Sequence, residues 1–242
     1  MIYNVSLEER RNDVLEYLKD RQYKRVVDIG GSMFPWAREY VTHYFDVTDI
    51  HEYLKGSDLY DENVRKSIML QGDINDGYGW EKIWEDVTYR GKFDFAICTQ
   101  TLEDIRNPTY VLRTLPKIAK EGFISIPHKY RELNYVEGHG DKEQKEWELS
   151  KSYMGYFHHR WIFSMIDGTS IQSKRLRLFP KLEFITCLSK IKDLTEGKFI
   201  GNELSFYWEG DNIPYEIVNN DFLGPNPPTV FRLYEKLIEE GV

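Results

Sequence analysis

The sequence predicts an α/β fold: a doubly wound, mostly parallel sheet with helices on both faces, followed by an antiparallel hairpin near the C-terminal end. Three observations predict it. Short apolar runs alternate with stretches of helical periodicity between residues 25 and 127, which is the rhythm of crossover connections between parallel strands. Several of those runs are apolar almost throughout, as a strand covered on both faces must be. Residues 204–208 and 213–218 flank Glu209-Gly210-Asp211-Asn212, the spacing and turn chemistry of a hairpin.

The elements follow in order. Ser6-Leu7-Glu8-Glu9 has the form of a capping box, in which each side chain satisfies an orphan backbone donor, and Val14, Leu15 and Leu18 supply the apolar face of the helix it would open. Arg25-Val26-Val27-Asp28-Ile29 is a buried strand closed by Gly30-Gly31-Ser32, and Pro35 suits the first turn of a following helix. Residues 42–46 and 68–71 are the second and third strands. A helix over residues 80–87 turns Trp80, Ile83, Trp84 and Val87 to one side. Residues 93–98 form a fourth strand. Asn107-Pro108 is a cap with Pro in the first turn of a helix reaching about Ala119, and Gly122 to Ile126 is a fifth strand stopped by Pro127. No clear strand is predicted over residues 128–180. Beyond them, residues 182–188 read as a strand, Gly224-Pro225-Asn226-Pro227-Pro228 as a stiff connector and residues 230–240 as an amphipathic helix. The expected organisation is one domain over residues 1–242, with 128–180 as an inserted lid or acceptor-site segment.

Composition excludes several classes of function. Of 242 residues, 41% are hydrophobic and 30% charged, the balance of a folded globular chain rather than a disordered one. The net charge of −8 argues against a nucleic-acid partner, which requires clustered Lys and Arg. No apolar run approaches the roughly 20 residues that span a bilayer, and charges at Glu8 to Arg11 precede any apolar stretch, so neither membrane span nor signal peptide is expected. The two cysteines, Cys98 and Cys187, lie in separate apolar segments. They suggest a reducing compartment, and the expected location is cytoplasmic.

Polar residues at strand ends carry the chemistry. Glycines after the first strand let a backbone approach a ligand closely, although the Gly-x-Gly-x-x-Gly spacing of a dinucleotide site is absent, which disfavours a nicotinamide-dependent oxidoreductase. Asp46 stands near the end of the second strand, where a carboxylate can accept from both hydroxyls of a ribose. Asp73 closes the third strand beside Ile74, a pair suited to an adenine amino group and its ring. Thr99 and Gln100 follow the fourth strand. Open α/β sheets bind ligands beyond the carboxyl ends of their strands, so all four sets are expected around one crevice.

In these residues the chain resembles the class I S-adenosylmethionine-dependent methyltransferases. The resemblance rests on Val26-Val27-Asp28-Ile29-Gly30-Gly31-Ser32, Asp46, Gly72-Asp73-Ile74, residues 93–98, and Leu102-Glu103 followed by Asn107-Pro108; it covers roughly residues 20–128. Ser32 stands where a second loop glycine is usual, and Asp104 where a His is frequent. The resemblance implies a Rossmann-like methyltransferase fold and S-adenosyl-L-methionine as cofactor. It assigns cofactor contacts to Gly30, Gly31, Ser32, Asp46, Asp73, Ile74, Thr99 and Gln100, with Asp28 orienting the loop. The function it implies is methyl transfer to an oxygen or nitrogen of a small-molecule acceptor. The alternative is a methyltransferase-like module that has lost catalysis and serves in binding or assembly.

The acceptor site must lie elsewhere. His128 directly follows the fifth strand and is expected at the crevice mouth, as a base or substrate contact or else as a surface His, with Tyr130 as a substrate contact. Tyr156-Phe157-His158-His159-Arg160-Trp161 is the most unusual string in the chain, and its functional reading is a lid with His158 or His159 as base and Arg160 holding a negative group. The competing reading is an aromatic segment packed on the sheet. A metal site is not expected: His128, Glu137, His139, Asp141, His158 and His159 offer donors, but no spacing sets two His on one face. Lys174-Arg175-Leu176-Arg177 with Lys181 is a basic strip able to hold a phosphate or carboxylate, or simply to be solvated.

Overall fold

A computed structural model describes residues 1–134, 156, 158–166, 174–180, 203–217 and 239. Its strands are β1 (Ile2–Ser6), β2 (Val26–Ile29), β3 (His43–Asp46), β4 (Ile68–Gln71), β5 (Phe93–Thr99), β6 (Ala119–Pro127), β7 (Trp161–Ile166), β8 (Arg175–Pro180), β9 (Glu203–Glu209) and β10 (Tyr215–Ile217). The helices are α1 (Arg11–Arg21), α2 (Ile50–Tyr53), α3 (Glu62–Lys66), α4 (Glu81–Arg90), α5 (Pro108–Ile118) and α6 (Lys129–Asn134), and a 3₁₀ turn at Tyr78–Trp80 leads into α4.

Seven strands form one sheet in the order β1-β9-β6-β5-β2-β3-β4. From β6 to β4 every neighbouring pair is parallel. β9 runs antiparallel to both β6 and β1. Side chains alternate across the sheet because the strand repeat is two residues. Val27 and Ile29 of β2, with Ala96 and Cys98 of β5, join Trp80, Ile83, Leu112 and Leu115 on the face carrying α4 and α5. Val26, Phe95 and Ile97 point the other way, to Val14, Leu18, Ile50 and Val64 of α1, α2 and α3. Helices on both faces of a mostly parallel sheet make this the doubly wound, Rossmann-like architecture that the sequence predicts. A second sheet, in the order β10-β8-β7, packs on the first: Phe163, Met165, Leu176 and Leu178 share a core with Ile126, Leu204 and Phe206.

Several expectations are corrected. Ser6 ends β1 rather than capping a helix: its Oγ accepts from the Glu8 amide at 3.1 Å, and α1 starts after Arg10 with no side-chain cap. Around Pro35 the chain makes turns such as Arg38 N to Pro35 O instead of a helix. Within residues 128–180, α6, β7 and β8 are ordered elements. The hairpin is not formed, because β9 enters the main sheet while β10 pairs with β8 in the other. Residues 204–208 are nearly free of solvent, and β9 is flanked on both edges; the place a hairpin partner would take belongs to β1. Residues 182–188 and 224–228, Cys187, and the 230–240 segment apart from Glu239 lie outside the described residues.

Candidate functional site

The parallel strands β4-β3-β2-β5-β6 come in the order third, second, first, fourth, fifth along the chain, so the winding reverses between β2 and β5. Loops after those two strands diverge to opposite faces and leave a crevice beyond the strand ends. A cavity of about 840 Å³ opens there. Gly30 and Gly31 line it from the β2 loop, Thr99, Gln100 and Asp104 from the β5 loop, and His158 and His159 from the segment that leads into β7.

The β2 loop is shaped by packing beneath it. Gly30 has φ +79°, and a Cβ there would stand 2.5 Å from the Thr101 hydroxyl. A Cβ on Gly31 would stand 2.1 Å from an Asp28 carboxyl oxygen. Asp28 is fully buried, and neither of its oxygens has a hydrogen-bond partner among the described residues. Burial, reinforced by the charge of Asp46, pushes its pKa up to about 8, so the carboxyl is neutral at pH 7. The loop is tied to β3 by the Ser32 amide, which donates to Asp46 Oδ2 at 3.2 Å, while Asp46 Oδ1 accepts from the Thr48 amide at 3.1 Å. The Ser32 hydroxyl is buried and has no partner among the described residues.

On the β5 side, Gln100 sits at φ +50° and donates its amide to the Ser125 carbonyl at 2.9 Å. The Thr99 hydroxyl accepts from the Trp36 indole N–H at 3.2 Å, which places an aromatic side chain in the cavity wall that the sequence did not single out. Asp28, Ser32, Asp46, Asp73 and Ile74 do not line this cavity, so of the expected cofactor residues it gathers only Gly30, Gly31, Thr99 and Gln100. Asp73 Oδ1 accepts from the Asn75 amide and side chain at 2.8 and 3.0 Å, and those bonds hold its carboxyl below the usual range. The Ile74 carbonyl accepts from the Trp80 indole at 3.1 Å.

The acceptor candidates divide. His128 is fully buried, bridges to Phe163 of β7 and stacks edge-on against Tyr130, so it does not stand at the crevice mouth. Burial lowers its pKa to about 3. Tyr130 is buried with it, and Arg160 is exposed; neither lines the cavity. His158 and His159 do. The Arg160 amide donates to the Glu103 carbonyl at 2.6 Å and fastens this segment to the β5 loop. His159 Nδ1 meets the carboxylate of Glu132, a buried α6 residue that no motif or spacing singles out. The Nε2 atoms of His158 and His159 face Asp104 Oδ1 at 3.9 and 3.7 Å. Desolvation raises the Asp104 carboxyl, against the pull of the two His. The basic strip is partly neutralised, since Arg175 and Arg177 of β8 flank Glu216 of β10 at 2.9 and 2.8 Å. Glu137, His139, Asp141 and Lys181 lie outside the described residues. Among the described residues no helix is long and apolar enough to cross a membrane.

No protein-family model and no curated protein sequence matches the chain. Solved structures do. The methyltransferase domain of a bacterial CtHen1 is 15% identical, over 83% of this chain and 97% of its own, with a TM-score of 0.43. The N-terminal domain of EvdMO1, solved with SAH bound, is 9% identical over 84% and 82%, with a TM-score of 0.40. An O-methyltransferase family protein from Burkholderia thailandensis is 9% identical over 83% and 56%, with a TM-score of 0.42. At this degree of overlap the neighbours add nothing to what the strand order says. That order is a doubly wound, Rossmann-like sheet in which the fifth parallel strand is followed by an antiparallel one.

Proposed function

We propose that this protein is an S-adenosylmethionine-dependent methyltransferase acting on an oxygen or nitrogen of a small-molecule acceptor. The observation that carries the reading is the open cavity at the switch point between β2 and β5, lined by the glycine loop together with ionisable side chains. The volume is that of a small-molecule site. When bound, the cofactor supplies a methyl group already activated on a sulfonium.

The residues have distinct parts in this proposal. Gly30 and Gly31 present backbone to the cofactor, with Thr99 and Gln100 opposite. Asp46 accepts from the ribose hydroxyls, a role compatible with its two amide donors because each carboxylate oxygen keeps a second acceptor direction. Asp73 and Ile74 are assigned to the adenine end; like Asp46, they lie outside the described cavity. Neutral Asp28 supports the loop from below. Positioning provides most of the catalysis, since correct alignment of reacting atoms contributes up to roughly 7–11 kcal/mol in well-oriented systems. The acceptor belongs at the Asp104, His158 and His159 end.

Calorimetric titration with S-adenosylmethionine and S-adenosylhomocysteine, with NAD as control, tests the assignment. Micromolar binding of the adenosyl compounds alone is expected, with Asp46→Ala weakening it at least about tenfold while thermal stability is kept. Absence of binding to either compound would favour the non-catalytic module.

A further inference from the structure

We propose that Asp104, His158 and His159 bind one divalent transition-metal cation at the acceptor end of the cavity. Its role there rests on the methyltransferase reading; its binding does not.

Three donor atoms, one carboxylate oxygen and one imidazole nitrogen from each His, lie within 4.8 Å of one another. The two His-to-Asp104 separations, 3.9 and 3.7 Å, are too long for hydrogen bonds. An ion about 2.0–2.2 Å from each donor would draw such atoms together by a small side-chain movement. The His rings stand nearly perpendicular, with centroids 4.5 Å apart, so their nitrogens converge instead of stacking.

The surroundings fit a ligand set better than a chance cluster. His159 is almost fully buried, and its Nδ1 is engaged by the carboxylate of fully buried Glu132. That contact fixes the ring and leaves Nε2 directed at Asp104, the arrangement by which an outer carboxylate orients a metal-bound His. The Arg160 amide to Glu103 carbonyl bond holds the two His against the loop that carries Asp104. Two imidazoles and one carboxylate suit a borderline cation such as iron, cobalt, nickel or zinc better than calcium or magnesium, and three ligands leave positions open toward the cavity. An acceptor hydroxyl bound at an open position would have its pKa lowered, with the proton released to solvent.

The test uses the full chain, stripped with chelator and titrated with Co²⁺ and Zn²⁺. One equivalent is expected to bind, with visible absorption of the Co²⁺ adduct reporting imidazole coordination. His158→Ala, whose side chain is 59% exposed and so carries little folding risk, and Asp104→Asn are each expected to weaken binding more than about tenfold. Glu132→Gln, a positioning change, is expected to weaken it about 10–100-fold, with circular dichroism checking that it folds. Lack of saturable binding at millimolar metal, or binding unchanged in both His158→Ala and Asp104→Asn, would overturn the site. S-adenosylmethionine affinity measured on the same samples separates the two proposals. Metal bound without cofactor affinity overturns the methyltransferase reading alone, and cofactor affinity without metal overturns only the metal site.

Discussion

Asp28 and Gly31 constrain each other: the loop passes so closely over the buried carboxyl that only a residue without Cβ fits, and the carboxyl is neutral because it is buried. The pH dependence follows. Between the ordinary value of 3.8 and about 8, folded Asp28 holds a proton that the unfolded chain has released, so its contribution to stability falls as pH rises through that window. Asp28→Asn removes the titration. Urea midpoints of variant and wild type are expected to shift in the variant's favour from pH 5 to pH 8, and a constant difference would count against a neutral Asp28. At this scale the glycine loop and the residues after β5 were legible because each directly follows a strand. Asp104 with the two His was not. Their donors belong to segments far apart in sequence, and metal-ligand spacing along a chain registers only ligands that share one element.

Caps distinguish two elements whose sequence signals look alike. Asn107 closes α5 by accepting from the Tyr110 amide at 3.2 Å, with Pro108 in the first turn. Asn107→Ala is expected to cost about 1 kcal/mol in chemical denaturation. Ser6→Ala is expected to cost less than about 0.5 kcal/mol, because Ser6 bonds only a turn amide at the end of β1. Equal losses would restore the capping box. The parallel core strands and α4 and α5 were readable from local periodicity, since each buries a continuous apolar face. β9 was readable as a strand, but its partners were not. A Gly-Asp turn indicates that the chain bends, not whether the next strand returns to the same sheet, and here Gly210 at φ +82° leads into the second one. β8 escaped notice although Arg175-Leu176-Arg177-Leu178 alternates and buries both Leu, because its arginines read as a basic strip; Glu216 lies between them.

For the molecule as a whole, the first strand is the outer wall. β1 covers the free edge of β9, Ile2 is fully buried, and the Glu209 amide donates to the Met1 carbonyl at 3.0 Å. Deleting residues 1–6 is expected to cost more than about 2 kcal/mol through loss of Ile2 burial. The deletion also leaves an unpaired edge, expected to give concentration-dependent association on size exclusion; a monomer of unchanged urea midpoint would refute that role. The same pairing sets a timetable for the chain's birth. β1 is synthesised before the other described strands of the sheet, yet its neighbour among them, β9, begins at Glu203. At roughly 5–20 residues per second, β1 waits about 10–40 s with its ladder groups unmet, and β6, complete at Pro127, waits about the last 4–15 s of it for the same partner. In that interval the nascent chain exposes two strand edges that the finished protein never shows.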